Sequence, residues 1–130
     1  MIETEGIFVD LKKMLRMIRR AYYLMDKMDR IVYCTPAQEA CVKALQAFAL
    51  AYDVPKLRYD SARILHGEVL SLKLVMDDIL EMNAIRGRDE KTGMKADTMK
   101  VELVILLGRI DEGVSRYVAS VYKGKSIPVG

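Results

Sequence analysis

Apolar residues return at alternating three- and four-residue steps in four stretches of this chain, the period of amphipathic helices that each bury one face. The first stretch covers residues 8–32. Phe8, Leu11, Leu15, Ile18, Tyr22 and Met25 form one stripe; Met14, Met17, Ala21, Leu24, Met28 and Ile31 form a second beside it. Two adjacent stripes make a face wider than a two-stranded coiled coil uses, as expected for a helix with two neighbours in a bundle. The second stretch presents Cys41, Leu45, Phe48 and Tyr52, with Ala44, Ala47, Ala49 and Ala51 between them, small enough for close helix approach. The third, residues 59–85, carries Ala62, Leu65, Val69, Leu72, Met76 and Ile79 as its seam. The fourth, residues 94–122, turns Met99, Leu103, Leu106, Ile110, Tyr117 and Val121 inward.

Punctuation between the stretches predicts where helices start and stop. Thr35 fits an N-cap, Pro36 the first helical position and Gln38 the reciprocal partner of a capping box. Pro55 cannot donate its amide and disfavours helix at Val54, which places a break over residues 53–56. Asp60 is a candidate cap for the third helix. Residues 86–93, RGRDEKTG, are charged, glycine-punctuated and without apolar period, hence a loop. Gly124 suits the position just past the last helix, and Pro128 blocks continuation. Short links between long helices favour antiparallel neighbours, so the pattern predicts one all-α domain over residues 1–130, an antiparallel up-down four-helix bundle with short flexible tails at 1–6 and 124–130.

One stretch strains a monomeric bundle. Between Val101 and Ile110 only Glu102, Gly108 and Arg109 interrupt the apolar residues. A helix apolar on nearly all sides must bury more than one stripe, and four helices leave no central place for it, so a second subunit is expected to cover the surplus. Composition agrees with an ordered domain: 52% hydrophobic and 30% charged, with three prolines, excludes disordered and collagen-like chains. No apolar run approaches the ~18 residues of a membrane span. The N-terminal MIETEG is acidic and lacks a signal-peptide core, so a cytoplasmic location is expected. Cys34 and Cys41 are the whole thiol inventory and read as buried small hydrophobes.

Candidate chemistry is sparse. Di-iron bundles need Glu-x-x-His on paired helices, and the single histidine, His66, has no such context. It reads as a half-buried packing residue. Asp77, Asp78 and Glu81, or Asp111 with Glu112, could in principle hold Mg²⁺ as a helical nucleotide hydrolase would; each is followed or opposed by Lys or Arg and reads as a solvated face. No phosphate-binding glycine loop, nucleophile elbow or dinucleotide fingerprint occurs. The chain is therefore expected to be non-enzymatic, with no cofactor and no metal. Gly108 and Gly113 lie inside the fourth helix, where each costs about 1 kcal/mol against Ala; close helix packing is the expected compensation.

The basic residues carry the clearest surface signal. Net charge is only +3, but Lys12, Lys13, Arg16, Arg19 and Arg20, followed by Lys27 and Arg30, occupy the face that the apolar stripes of the first helix leave over. No acidic residue intervenes from Lys12 to Arg20. Such a column can track a phosphate backbone through sequence-independent contacts, and Tyr23 beside it can stack on a base. A solvated helix face is the competing reading, and repetition around an oligomer would strengthen the field.

The segments ALQAFALAYDVPKLRYDSARILHGEVLSLKLVMDDI and VELVILLGRIDEGVSRYV resemble the middle and end of the accessory variability determinant (Avd) proteins of diversity-generating retroelements, four-helix-bundle proteins related to those encoded in ribosomal RNA intervening sequences. Leu72-Lys73 and Leu107-Gly108-Arg109-Ile110 with Gly113 match family positions. The resemblance spans residues 23–120. The chain departs from the pattern at residues 32–36, at Asp77 where a further arginine is expected, and at Val114 where an aromatic often follows the final glycine. The resemblance implies a ring-shaped homopentamer that binds a reverse transcriptase and its template RNA and supports mutagenic cDNA synthesis. Lys73 and Arg109 are the contact residues it carries over. The alternatives are a bundle of the ribosomal intervening-sequence type with a different partner and, from another class, an Mg²⁺-dependent nucleotide hydrolase using Asp77, Asp78 and Glu81.

Overall fold

The computed structural model describes residues 2–123. Gly124, Pro128 and the tail they were expected to punctuate lie outside them. In order, the chain forms helix α1 (Ile2–Tyr22), a one-turn helix α2 (Lys27–Asp29), a π-helical turn (Arg30–Cys34), α3 (Thr35–Asp53), a 3₁₀ turn (Pro55–Leu57), α4 (Arg58–Glu81) and α5 (Ala96–Val121). Among the described residues the only β pairing is an isolated antiparallel bridge between Arg88 and Lys95.

Each long helix packs its backbone close to two others, α1 on α3 and α5 and α4 on α3 and α5, while across the diagonal the Phe48 ring of α3 meets Tyr117 of α5 edge-on at 5.2 Å. Neighbours run in opposite senses. Cys34 and Cys41 of the second helical run meet the backbone at Ile18 and Leu11 of α1. Asp10 of α1 meets Arg109 of α5. Tyr59, Lys73 and Asn83 along α4 and just beyond it meet Tyr122, Asp111 and Lys100 in turn. The third-helix seam is buried at every expected position, and Met99, Leu103, Leu106 and Ile110 are buried on α5, joined by Leu107, Val114 and Val118. Tyr117 and Val121 are half-buried. On α3 the buried face is mostly alanine (Ala37, Ala40, Ala44, Ala47, Ala51), which lets α3 and α4 make the broadest contact in the bundle.

Three helices differ at their ends from the expected ones, each for a local reason. First, α1 begins at Ile2, so the expected N-terminal tail is helical from that residue; Ile7 is buried, whereas Phe8, the first expected stripe position, is half-buried. The same helix ends at Tyr22, not Val32. Leu24 and Met25 still reach the core, but from a tight turn, so apolar spacing ran on past the helix end. Arg30 explains the stop. Its Nε donates to the carbonyls of Tyr22 (2.8 Å) and Met25 (3.0 Å), and its guanidinium lies 4.5 Å from the Tyr22 ring centre. Carbonyls left over at a helix end are satisfied by a side chain from the next element. Met28 and Ile31, expected on the second stripe, are exposed.

Second, α3 does start at Thr35 with Pro36 in its first turn, as expected, but a π turn leads straight into it, so Thr35 is not its cap. Cys34 and Thr35 are already helical, and Thr35 makes no capping bond. Pro36 lacks an N–H and crowds the carbonyl four residues back. The chain passes through it by widening to a π turn, with the Thr35 N–H donating to Arg30 O. Third, α4 starts at Arg58, which puts Asp60 in its first turn rather than at its cap, and stops at Glu81 rather than residue 85. Asn83 takes a left-handed φ of 50°, and the Ala84 N–H reaches back to Ile79 O, the closure of a helix that turns back on itself. Ala84 and Ile85 then tuck under the bundle, and the Arg86 N–H donates to Leu24 O, tying this loop to the turn after α1.

Candidate nucleic-acid interface

The outer face of α1 is built by subtraction. Burying Leu11, Met14, Ile18 and Ala21 forces the remaining positions outward. Lys12, Lys13, Arg16, Arg19 and Arg20 are all exposed. Arg16 lies opposite the core, with Lys12 and Arg19 on one flank and Lys13 and Arg20 on the other. None of the five has a carboxylate partner among the described residues. Lys12 leans over the Phe8 ring, 4.6 Å from its centre. Tyr23 caps the column, largely exposed, its ring edge-on to Tyr22 at 5.2 Å. Lys27 and Arg30 do not extend this helix, because the chain has turned by then; Arg30 is spent on the α1 terminus.

Lys73 and Arg109 are differently placed. Lys73 Nζ lies 3.0 Å from Asp111 Oδ2 across the outer α4–α5 seam, both partly exposed. Arg109 Nη2 lies 3.0 Å from Asp10 Oδ1 across the α1–α5 seam; the arginine side chain is 59% exposed and the aspartate 10%. Each cation is thus matched by a carboxylate. Arg109 flanks the α1 column, whereas Lys73 is not gathered with it.

The surplus apolar surface expected on the fourth helix has a definite place. Val101, Val104 and Ile105 on α5 are exposed, 49–59%, and Gly108 shares their strip. On α4, Leu70 and Leu74 are exposed at 49% and 59%. The Lys73–Asp111 pair spans the two helices beside them. Gly108 has nothing within 4 Å of the position a Cβ would take, so close packing inside the subunit does not compensate that glycine. Gly113 does sit at a close approach: its added Cβ would meet Ile7 Cγ1 at 3.2 Å.

Asp77, Asp78 and Glu81 are exposed, and no group of three His, Cys, Asp or Glu side chains among the described residues converges as metal ligands. His66 is half-buried beside the α4 seam. Cys34 and Cys41 are buried and free. Burial pushes the Cys34 thiol up to about 11, with nearby Arg30 partly opposing, and the Cys41 thiol up to about 12, so neither is a nucleophile at neutral pH. No described helix is long and apolar enough to cross a membrane.

A second group of cations escaped the sequence reading. Arg86, Arg88, Lys95 and Lys100 line one cavity of about 480 Å³ where the 82–95 loop meets the start of α5. In the sequence they look like a solvated loop plus two scattered lysines; only the Arg88–Lys95 bridge and the Asn83 turn bring them together. No family model, no curated protein and no solved structure matches this chain.

Proposed function

We propose that this chain is a non-enzymatic accessory factor that binds the template RNA and the reverse transcriptase of a diversity-generating retroelement, acting as an oligomer. The observation that carries the nucleic-acid part is the α1 column: five exposed cations on one helix face, none with a carboxylate partner among the described residues. Cations already matched by acids contribute little net field; unmatched ones release counterions when they meet phosphates. Tyr23 at the end of the column adds a stacking surface. The retroelement assignment rests on the sequence resemblance, and the four-helix architecture agrees with it.

The oligomer rests on the α4–α5 outer strip. Leu70 and Leu74 on α4 and Val101, Val104 and Ile105 on the adjacent α5 are exposed large apolar side chains, and Gly108 leaves open space for another backbone. A ring of five copies, as the resemblance implies, would repeat the α1 column around its rim. The role in cDNA synthesis is one of placement: the cationic faces hold phosphates while the polymerase partner does the chemistry.

The test is a salt titration of RNA binding. For single-stranded RNA, log K should fall linearly with log salt, by roughly 0.7 for each phosphate contacted. Arg16→Glu/Arg19→Glu/Arg20→Glu should keep the helical circular dichroism, lose most RNA affinity at low salt, and flatten the slope by roughly 2. Unchanged binding in the triple variant would reduce the column to a solvated face. Pull-down of a neighbouring reverse transcriptase by the wild-type chain tests the partner directly.

A further inference from the structure

We infer that the cavity between the 82–95 loop and the first turn of α5 is a binding site for a phosphate group, held by Arg86, Arg88, Lys95 and Lys100. The four residues come from different points of the chain, and the fold brings them to one concavity. The antiparallel bridge sets Arg88 directly opposite Lys95. Like charges facing each other across paired strands are destabilising, and here no carboxylate is interposed to relieve them. Arg86 spends its Nε on Asn83 O at 3.0 Å, which orients the guanidinium and leaves its terminal nitrogens free of ion pairs among the described residues.

The nearby acids do not neutralise this group. Asp89 turns into its own turn, where it accepts the Lys91 N–H (3.2 Å) and the Thr92 hydroxyl (2.8 Å). Asp97 is the one carboxylate lining the cavity. It reaches only Lys100, at 3.5 Å, and its side chain is almost wholly in solvent. Lys100 also donates to Asn83 Oδ1, which fixes its ammonium at the cavity wall. Four cations against one carboxylate leave an excess of three positive charges around a space of about 480 Å³. Guanidinium forks and ammonium groups match phosphate oxygens in charge and hydrogen-bonding sense. The depression opens widely to solvent, so it can admit a phosphate carried on something larger.

Two sources share that chemistry: the phosphorylated end of an RNA strand, or a free nucleoside polyphosphate. The site itself does not depend on the α1 reading. Its assignment to a strand end does rest on it, because the tie from Arg86 N–H to Leu24 O sets the cavity at the end of the bundle where the α1 column finishes.

The experiment is calorimetric titration at low salt with a short 5′-phosphorylated oligoribonucleotide, the same strand with a 5′-hydroxyl, ADP and inorganic pyrophosphate. The phosphorylated strand should bind at least about tenfold more tightly than the hydroxyl form, a difference of about 1.4 kcal/mol. Arg88→Glu/Lys95→Glu should abolish that preference, and Arg88→Gln/Lys95→Gln should weaken it, both with unchanged circular dichroism. The triple reversal on α1 should lower affinity for both strands while the preference persists, which separates failure of this site from failure of the α1 reading. Binding of ADP and pyrophosphate without any strand-end preference supports the site and assigns it to free nucleotides. Equal affinity for the two strands together with no ADP or pyrophosphate binding overturns it, as does any phosphate preference that survives both double variants.

Discussion

Asp10 illustrates how one side chain constrains the surface around it. It is buried to within 10% of its side-chain exposure, and its carboxylate is met by Arg109 at 3.0 Å. Removing the arginine leaves a carboxylate with reduced hydration and no counter-charge. Arg109→Ala should destabilise by roughly 1–2 kcal/mol, less than a fully buried pair because the arginine is more than half exposed. Adding Asp10→Asn to that variant should recover part of the loss, read by urea unfolding. The thiols give a second prediction with a definite sign. Folded Cys34 and Cys41 keep their protons to about 11 and about 12, against 9.0 ordinarily. Above pH 9 the unfolded chain releases these protons first, so their contribution favours folding fully below that pH and is lost as pH climbs through 11 to 12. Unfolding free energy measured across this window should fall less steeply in Cys34→Ala/Cys41→Ala than in wild type.

At the scale of elements, the differences between expected and observed helices share a cause. Apolar period reports which residues seek the core, and a tight turn can deliver Leu24 and Met25 there as well as a helix can. The stop at Tyr22 depends on Arg30, eight residues on, and no local rule flags it. The Thr35-Pro36 signal is sound as a local preference, but a preceding helical turn can absorb proline by widening. The two glycines of α5 separate in the same way. Gly108→Ala fills open space and should raise stability by about 1 kcal/mol. Gly113→Ala should gain nothing, since the same helical preference is offset where the new methyl presses on Ile7. Thermal unfolding of the two single variants checks the contrast.

For the molecule as a whole, the proposed assembly through the exposed apolar residues of α4 and α5 makes a direct prediction. Leu74→Glu/Ile105→Glu changes two side chains that already face solvent within the subunit. The helical fold should survive, while sedimentation should shift from an oligomer to a 15-kDa species (one chain is 14.8 kDa). An unchanged sedimentation coefficient would show that the strip is not the contact between copies. Gly108→Leu should act on the same property, disturbing assembly while leaving the subunit folded, because Gly108 is exposed and a Cβ there meets nothing within the subunit.

The chain by itself determined the all-helical class, the third-helix seam at every position, and the outward basic face of α1. All three follow from periodicity, since a buried stripe leaves its complement to water whatever the partner helix is. Tertiary structure alone decided the rest. Lys73 and Arg109 met carboxylates 38 and 99 residues away, and cations of the 82–95 loop and of α5 came to line a single cavity. Charge pairing and cavity lining depend on distances between elements, and helical spacing carries no record of those.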